Sequence, residues 1–295
     1  MAILREQWID VESAIYTFWD LEMKRKKDYI PLTYNVHESD RSQENHYGIG
    51  SVAQMQPWTG SVSYQEFTKG FSKGYRHLKY STGMKLEEEI FRFRDYSEIE
   101  TRTRKLADSV YKTQQAHAVS TFNYAFDSAF TGPDSVPLCA TNHDYSPTDG
   151  THQSNYGAYD LTPANVNTVF NAMTEFKDDK GDIVGVTPNL ILVGNYFRDK
   201  AKKIVGSDNE PFTTNNDMNT WKDELTYLYN PRITGKKWFL IDTERMKLFL
   251  HWYYARRPKI KTETEFDEEM MKFATLGMWS YGWDHWDWIY GNLVA

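Results

Sequence analysis

The chain has 295 residues with 34 Lys and Arg against 41 Asp and Glu, and its net charge of −7 argues against wrapping nucleic acid, which needs a basic footprint. Apolar residues at 40% and charged residues at 25% are ordinary for a folded soluble protein of one large domain or two. A single cysteine, Cys139, excludes an intrachain disulfide and cysteine-based zinc sites, and no apolar run approaches the ~20 residues of a membrane span.

Aromatics are abundant, with 10 Trp, 20 Tyr and 16 Phe. Such side chains carry large contact area at low entropy cost and are enriched in interface cores, so the composition favours burial against a partner over a rich monomeric core. The start, Met1-Ala-Ile-Leu-Arg-Glu, places a charge too early for a secretion signal. The chain is therefore expected to stay in the cytosol or to leave it by another route.

Residues 1–35 read as an arm. Trp8, Ile9, Ile15, Phe18 and Trp19 are apolar, but Lys24-Arg25-Lys26-Lys27 and Pro31 cut the segment short of a core of its own. It packs either on its own chain or on a neighbour. The basic run reads as a solvated face.

Residues 36–83 are punctuated by Gly48, Gly50, Gly60, Gly70, Gly74 and Gly83. Val62 and Tyr64 alternate with serines as in a half-wet strand, while Phe67, Phe71 and Tyr75 recur every four as on a helix. Glycine this dense weakens either element, and the segment predicts a long two-stranded projection. An isolated hairpin is marginal in water, so the projection needs a partner surface. Lys85 to Phe93 is expected to lead on as strand.

Ser97 to Phe130 contains neither Gly nor Pro, so roughly 34 residues of unbroken helix would run about 50 Å. Ser97 is placed as N-cap with Glu100 three residues on. Ile99, Leu106, Val110, His117, Phe122, Phe126 and Phe130 drift round one side, and Arg102, Arg104, Lys105, Asp108 and Lys112 supply the wet side. Gly132-Pro133 ends the pattern. The reading is a spine laid across a thin sheet, in preference to a kinked pair of helices.

Pro133 to Asp160 is a polar loop containing His143, Asp144 and His152, which are suitable metal donors but lack the spacing that fixes a site. From Leu161 the pattern alternates helix and strand. Thr162-Pro163 starts a helix with the stripe Val166, Val169, Phe170, Met173 and Phe176. Asp178 to Asp182 is a turn, Leu190 to Val193 a short buried strand, and Phe197 to Gly206 a helix after Gly194. Trp238 to Ile241 is a buried strand. Leu248 to Tyr254 is another, ended by Arg256-Arg257-Pro258-Lys259. In the closing stretch Trp279, Tyr281 and Trp283 alternate, and Trp286, Trp288 and Tyr290 continue on the opposite parity, which places a bend near Asp284-His285. Trp283-Asp-His-Trp-Asp287 reads as strand rather than as an acid–base or metal site.

This order of elements resembles the tailed-phage major capsid proteins of the Hong Kong 97-like fold, most of all the Mu-like major head subunits. The resemblance covers nearly the whole chain. It rests on the glycine-rich extended region, the spine, Pro137-Leu-Cys-Ala-Thr-Asn-His143, the Leu161-Thr-Pro start, Pro188-Asn-Leu-Ile-Leu-Val193 and the aromatic Trp279 to Tyr290. It implies an α+β fold: N-terminal arm (1–35), extended β-loop (36–83), peripheral domain with the spine helix (84–160), axial domain (161–250) and a return to the peripheral domain (251–295).

The implied function is a major capsid protein that self-assembles into pentamers and hexamers of an icosahedral shell around phage double-stranded DNA. The acidic net charge suits a shell that encloses DNA without sequence-specific binding. Trp8, Trp19, Trp58, Tyr64, Phe67 and Phe71 are the expected inter-subunit contacts, buried only in the assembly. Any scaffold is expected to be a separate protein, beside portal and decoration proteins. The setting is the virion, assembled in the host cytoplasm, with no membrane. No catalytic, cofactor or metal residue is implied, and no cross-linking is predicted from Lys69, Lys73 or Lys79. The rival reading is a metal-dependent α/β hydrolase using His143, Asp144 and His152, or Asp284 and His285, with Gly194 at a phosphate site. No nucleophile elbow or P-loop supports it.

Overall fold

The computed structural model describes all residues except 1, 63, 88–89, 91–92, 94–95, 149, 214–216 and 266–269. Among the described residues, helices α1 (Ala2–Arg25), α2 (Ile30–Thr33), α3 (Tyr96–Asn123), α4 (Pro163–Thr174), α5 (Arg198–Gly206) and α6 (Thr243–Phe249) join two sheets and a hairpin. The first sheet has the order β1-β9-β10-β4, from Asn35–Glu38, Leu250–Glu265, Met270–Trp283 and Leu78–Glu87. The second has the order β5-β11-β8-β6-β7, from Tyr156–Gly157, Ile289–Leu293, Lys237–Ile241, Leu190–Val193 and Thr226–Tyr229. Strands β2 (Gln43–Ile49) and β3 (Lys69–Arg76) pair only with each other.

The spine is α3, and it ends at Asn123 rather than at Phe130. Its last carbonyls are claimed by other parts of the chain. Lys237 Nζ donates to Asn123 O at 2.5 Å, and Cys139 N donates to Ala125 O at 2.8 Å. Asn123 itself accepts from Thr234 N at 3.0 Å and donates to Arg232 O at 2.9 Å. Lys237 and Cys139 thus take backbone carbonyls that continued helix would have used, while the 232–234 segment ties down the Asn123 side chain. Ser97 lies inside the first turn, which begins at Tyr96, so it is not the cap. The wet side is as expected, with Glu98–Arg102 and Glu100–Arg104 pairs one turn apart.

The spine serves two cores. Its first half packs Ile99, Leu106 and Val110 against α1 and the long β9–β10 ribbon. Its second half packs Ala118, Val119 and Phe122 against Trp252, Trp279 and Trp288. A third core buries Val166, Val169 and Met173 of α4 and Ala201 and Ile204 of α5 on β6 and β8. Helix α4 starts as its sequence dictates, Thr162 Oγ1 accepting from Asn165 N at 3.3 Å.

The N-terminal segment is not a free arm. Helix α1 lays Val11, Ile15 and Trp19 on the spine, and Lys26 pairs with Asp108 of α3. Strand β9 also departs from expectation, running through Pro258 to Glu265. Opposite Pro258 the β9–β10 register shifts on either side of Met278, and the ladder tolerates a residue without an N–H there. Gly277 makes room, since a Cβ would stand 3.0 Å from Pro258 Cγ. Helix α6 replaces the first residues of the strand expected from Leu248, because buried Asp242 accepts from Glu244 N and Arg245 N and nucleates a turn.

The bend at Asp284 is real and is more than a bulge. The chain leaves β10 in one sheet and enters β11 in the other. Buried Asn155 locks that crossing, donating to Leu138 O at 2.8 Å and Ile289 O at 3.1 Å.

Candidate functional site: the extended loop and its root

Strands β2 and β3 carry out a loop whose described residues lie in 50–62 and 64–68, so a two-stranded projection exists but its strands stop short of the tip. Glycine permits the close approach at its neck. A Cβ on Gly48 would stand 2.6 Å from Phe71 O, and one on Gly70 the same distance from the Gly48 carbonyl carbon. The loop is rooted on the turn after α4. Asp179 accepts from Ser51 N at 2.9 Å and from Thr68 Oγ1 at 3.1 Å, and Gln54 Nε2 donates to Asp182 at 2.7 Å. Burial pushes the Asp179 carboxyl up, but the hydrogen bonds from Ser51 and Thr68 outweigh it and hold the group below the usual carboxylate range.

The expected contact residues divide. Tyr64 and Trp58 are 91% and 73% exposed, and Phe67 is exposed beside them. Phe71 is half-buried on β3, in a crevice with Pro133 and Trp283, so its own chain already covers part of it. Trp19 is 5% exposed, so its burial needs no neighbour. The α1 stripe and the spine complete each other, which the sequence of either alone does not reveal. Trp8 lies in α1, and its side chain is outside the described residues.

The rival metal and phosphate residues do not converge. Buried His143 gives Nδ1 to Asp134 at 2.6 Å and stacks on Trp286. His152 pairs with Asp144 at 2.7 Å on the surface. His285 stands 3.2 Å from buried Asp287, which binds Arg245. Gly194 is a packing glycine, since a Cβ there would meet Ile233 O at 2.4 Å. Sequence reading missed a different cluster at the root of the hairpin. His46 Nδ1 and His251 Nε2 lie 2.5 and 2.9 Å from Asp284 Oδ2, and Tyr75 donates to Oδ1 of the same carboxylate. Burial raises the Asp284 carboxyl, yet hydrogen bonds from His251 and Tyr75 bring it below its ordinary value. No local spacing could have shown this, because His46 and Asp284 are 238 residues apart.

A spine helix across a ribbon-like sheet, an α/β unit beside it and a projecting apolar loop define a shell-forming coat subunit. The chain belongs to the phage capsid protein family, whose model matches residues 70–292. It is similar to a chain of the bacteriophage JBD30 capsid decorated with minor capsid protein trimers, with TM-score 0.56, 11% identity and 71% and 91% of the two chains covered. The asymmetric unit of the bacteriophage PhiM1 mature capsid gives TM-score 0.56 at 10% identity, covering 92% and 88%. The JBD30 procapsid gives TM-score 0.56 at 9% identity, covering 98% and 75%. No curated protein matches the chain in sequence. The fold is Hong Kong 97-like and the protein is a major capsid shell protein; these matches do not single out the Mu-like subgroup.

Proposed function

We propose that the subunit assembles into pentamers and hexamers of an icosahedral shell around double-stranded DNA, as a structural protein rather than an enzyme. The observation that carries this is the loop of residues 50–68. Met55, Trp58, Val62, Tyr64 and Phe67 are exposed along one short segment, and such a concentration of exposed large apolar side chains marks a docking element. Laid on a neighbouring subunit, it supplies burial that the hairpin cannot provide for itself. The exposed wet face of the spine and the net charge of −7 suit a wall that encloses DNA without gripping it.

In this reading residues 84–160, with the spine, and 251–295 form the peripheral domain, and residues 161–250, with α4 and α5, form the axial domain. The assembly forms in the host cytoplasm, with separate scaffold, portal and decoration proteins as partners. The test replaces residues 51–67 with a short linker, which spares β2, β3 and β4. Negative-stain microscopy should then show free subunits with unchanged circular dichroism in place of closed shells. Shells formed as well as by the wild type would remove the loop from assembly.

A further inference from the structure

The unassigned cluster at the hairpin root has the composition of a metal site. His46 on β2, His251 on β9 and Asp284 between β10 and β11 each offer one ligand atom, all within 4.8 Å of one another. We propose that His46 Nδ1, His251 Nε2 and an Asp284 carboxylate oxygen bind one first-row divalent cation of the zinc class, which clips the extended hairpin to the four-stranded sheet.

The donor set selects the ion. Two imidazoles and one carboxylate suit Zn²⁺, Co²⁺ or Ni²⁺, whereas Mg²⁺ and Ca²⁺ ask for oxygen alone. Tetrahedral zinc with bonds of ~2.0–2.1 Å holds its donors about 3.3 Å apart. The present separations of 2.5 and 2.9 Å from Asp284 Oδ2, with all three donors within 4.8 Å, ask the carboxylate to retreat and the two imidazoles to close round the ion. Asp284 lies beyond the end of β10, so its side chain can turn without disturbing the ladder.

The outer shell is already in place. His46 Nε2 is 2.6 Å from Tyr253 Oη, and His251 Nδ1 is 3.3 Å from His37 Nε2. Tyr75 holds the remaining oxygen of Asp284. When the ion takes the inner nitrogens, each ring proton moves to the outer nitrogen and meets one of these acceptors. Ring orientation is thereby fixed from behind, as in known metal sites. His46, His251 and Asp284 also line a cleft of about 480 Å³, which gives the ion an entry path and room for a water as fourth ligand.

Neighbouring clusters lack one of these elements. His285 and Asp287 share their surroundings with the Arg245 guanidinium, which repels a cation. His152 and Asp144 make an exposed pair. Among the described residues, the hairpin root is the one group of three such side chains. Its ligands come from one chain, so the proposal stands or falls separately from the shell reading.

The test uses the full-length chain after chelator treatment, titrated with Zn²⁺ by calorimetry and with Co²⁺ by visible absorption. The expected result is one ion per chain, an intense low-coordination cobalt spectrum, and a higher melting temperature in excess Zn²⁺. His46→Gln and His251→Gln should each weaken binding at least about tenfold, while His152→Gln should bind as the wild type does. His251 is buried, so if His251→Gln fails to fold, His46→Gln on the partly exposed β2 decides alone. Absence of stoichiometric binding by the wild type, a hexaaqua-like cobalt spectrum, or wild-type affinity in His46→Gln overturns the proposal.

Discussion

The side chain of Asp179 receives the backbone N–H of Ser51 at 2.9 Å, joining the turn after α4 to the first residue beyond the hairpin neck. The same carboxylate accepts from Thr68 at the other end of the loop, so one side chain gathers both ends. Asp179→Ala should therefore free the loop without unfolding the protein. Limited proteolysis within residues 50–68 should quicken several-fold, with the melting temperature shifted by a few degrees at most, since such surface hydrogen bonds contribute ~1 kcal/mol each. Unchanged cleavage rates would mean that Gln54–Asp182 and the Gly50–Thr68 backbone bond hold the root unaided.

Two tryptophans of similar expected role should behave in opposite ways. Trp19 is buried with Leu106 and Val110, and Trp19→Ala should cost about 3–5 kcal/mol in urea unfolding of the lone subunit. Trp58 is exposed on the loop, and Trp58→Ala should leave that transition within about 0.5 kcal/mol while reducing the yield of closed particles. Equal loss of subunit stability in both variants would contradict the burial assigned to each.

The acid limb of stability should report Asp287. Burial by itself raises its carboxyl, but His285 and then Arg245 overcome that and hold it below its ordinary value of 3.8. A group depressed in the folded state contributes stability that is complete above its unfolded pKa and is lost as pH falls through the folded one. Unfolding measured from pH 6 downward should thus show a loss beginning near pH 4, flattened in Asp287→Asn. At neutral pH, Asp287→Ala should cost on the order of 3 kcal/mol, because half-buried Arg245 is left without its buried counter-charge. An acid limb of unchanged steepness in Asp287→Asn would assign that loss to other carboxylates.

Much of the architecture is legible locally. The spine follows from a run without Gly or Pro and from apolar residues at helical spacing, both of which act over a few residues. The α4 start follows from Thr162 and Pro163, and the turn at Asp178 from its own Asp and Gly chemistry, with Gly181 at φ 86°. The parity change after Trp283 marks the bend, but it does not say that the chain changes sheets there. The exposed loop aromatics are foreseen from a stretch too glycine-rich and polar to bury them.

What escaped the sequence depended on distant partners. The spine stops at Asn123, where Lys237 takes the backbone carbonyl and the 232–234 segment the side chain, and nothing near Asn123 announces them. Trp19 is interior because α1 packs with Leu106 and Val110 of α3 and with Ile260 and Phe273 of the sheet in one core. Pro258 stays within a strand only because β10 bulges opposite it. By itself the sequence determined the spine, the buried strands, the turns and an apolar loop in need of a partner, since spacing and backbone chemistry are local. Only the tertiary structure decided which aromatics the chain covers unaided and that His46, His251 and Asp284 meet, because β2, β9 and the link after β10 must first pack before those side chains share one point in space.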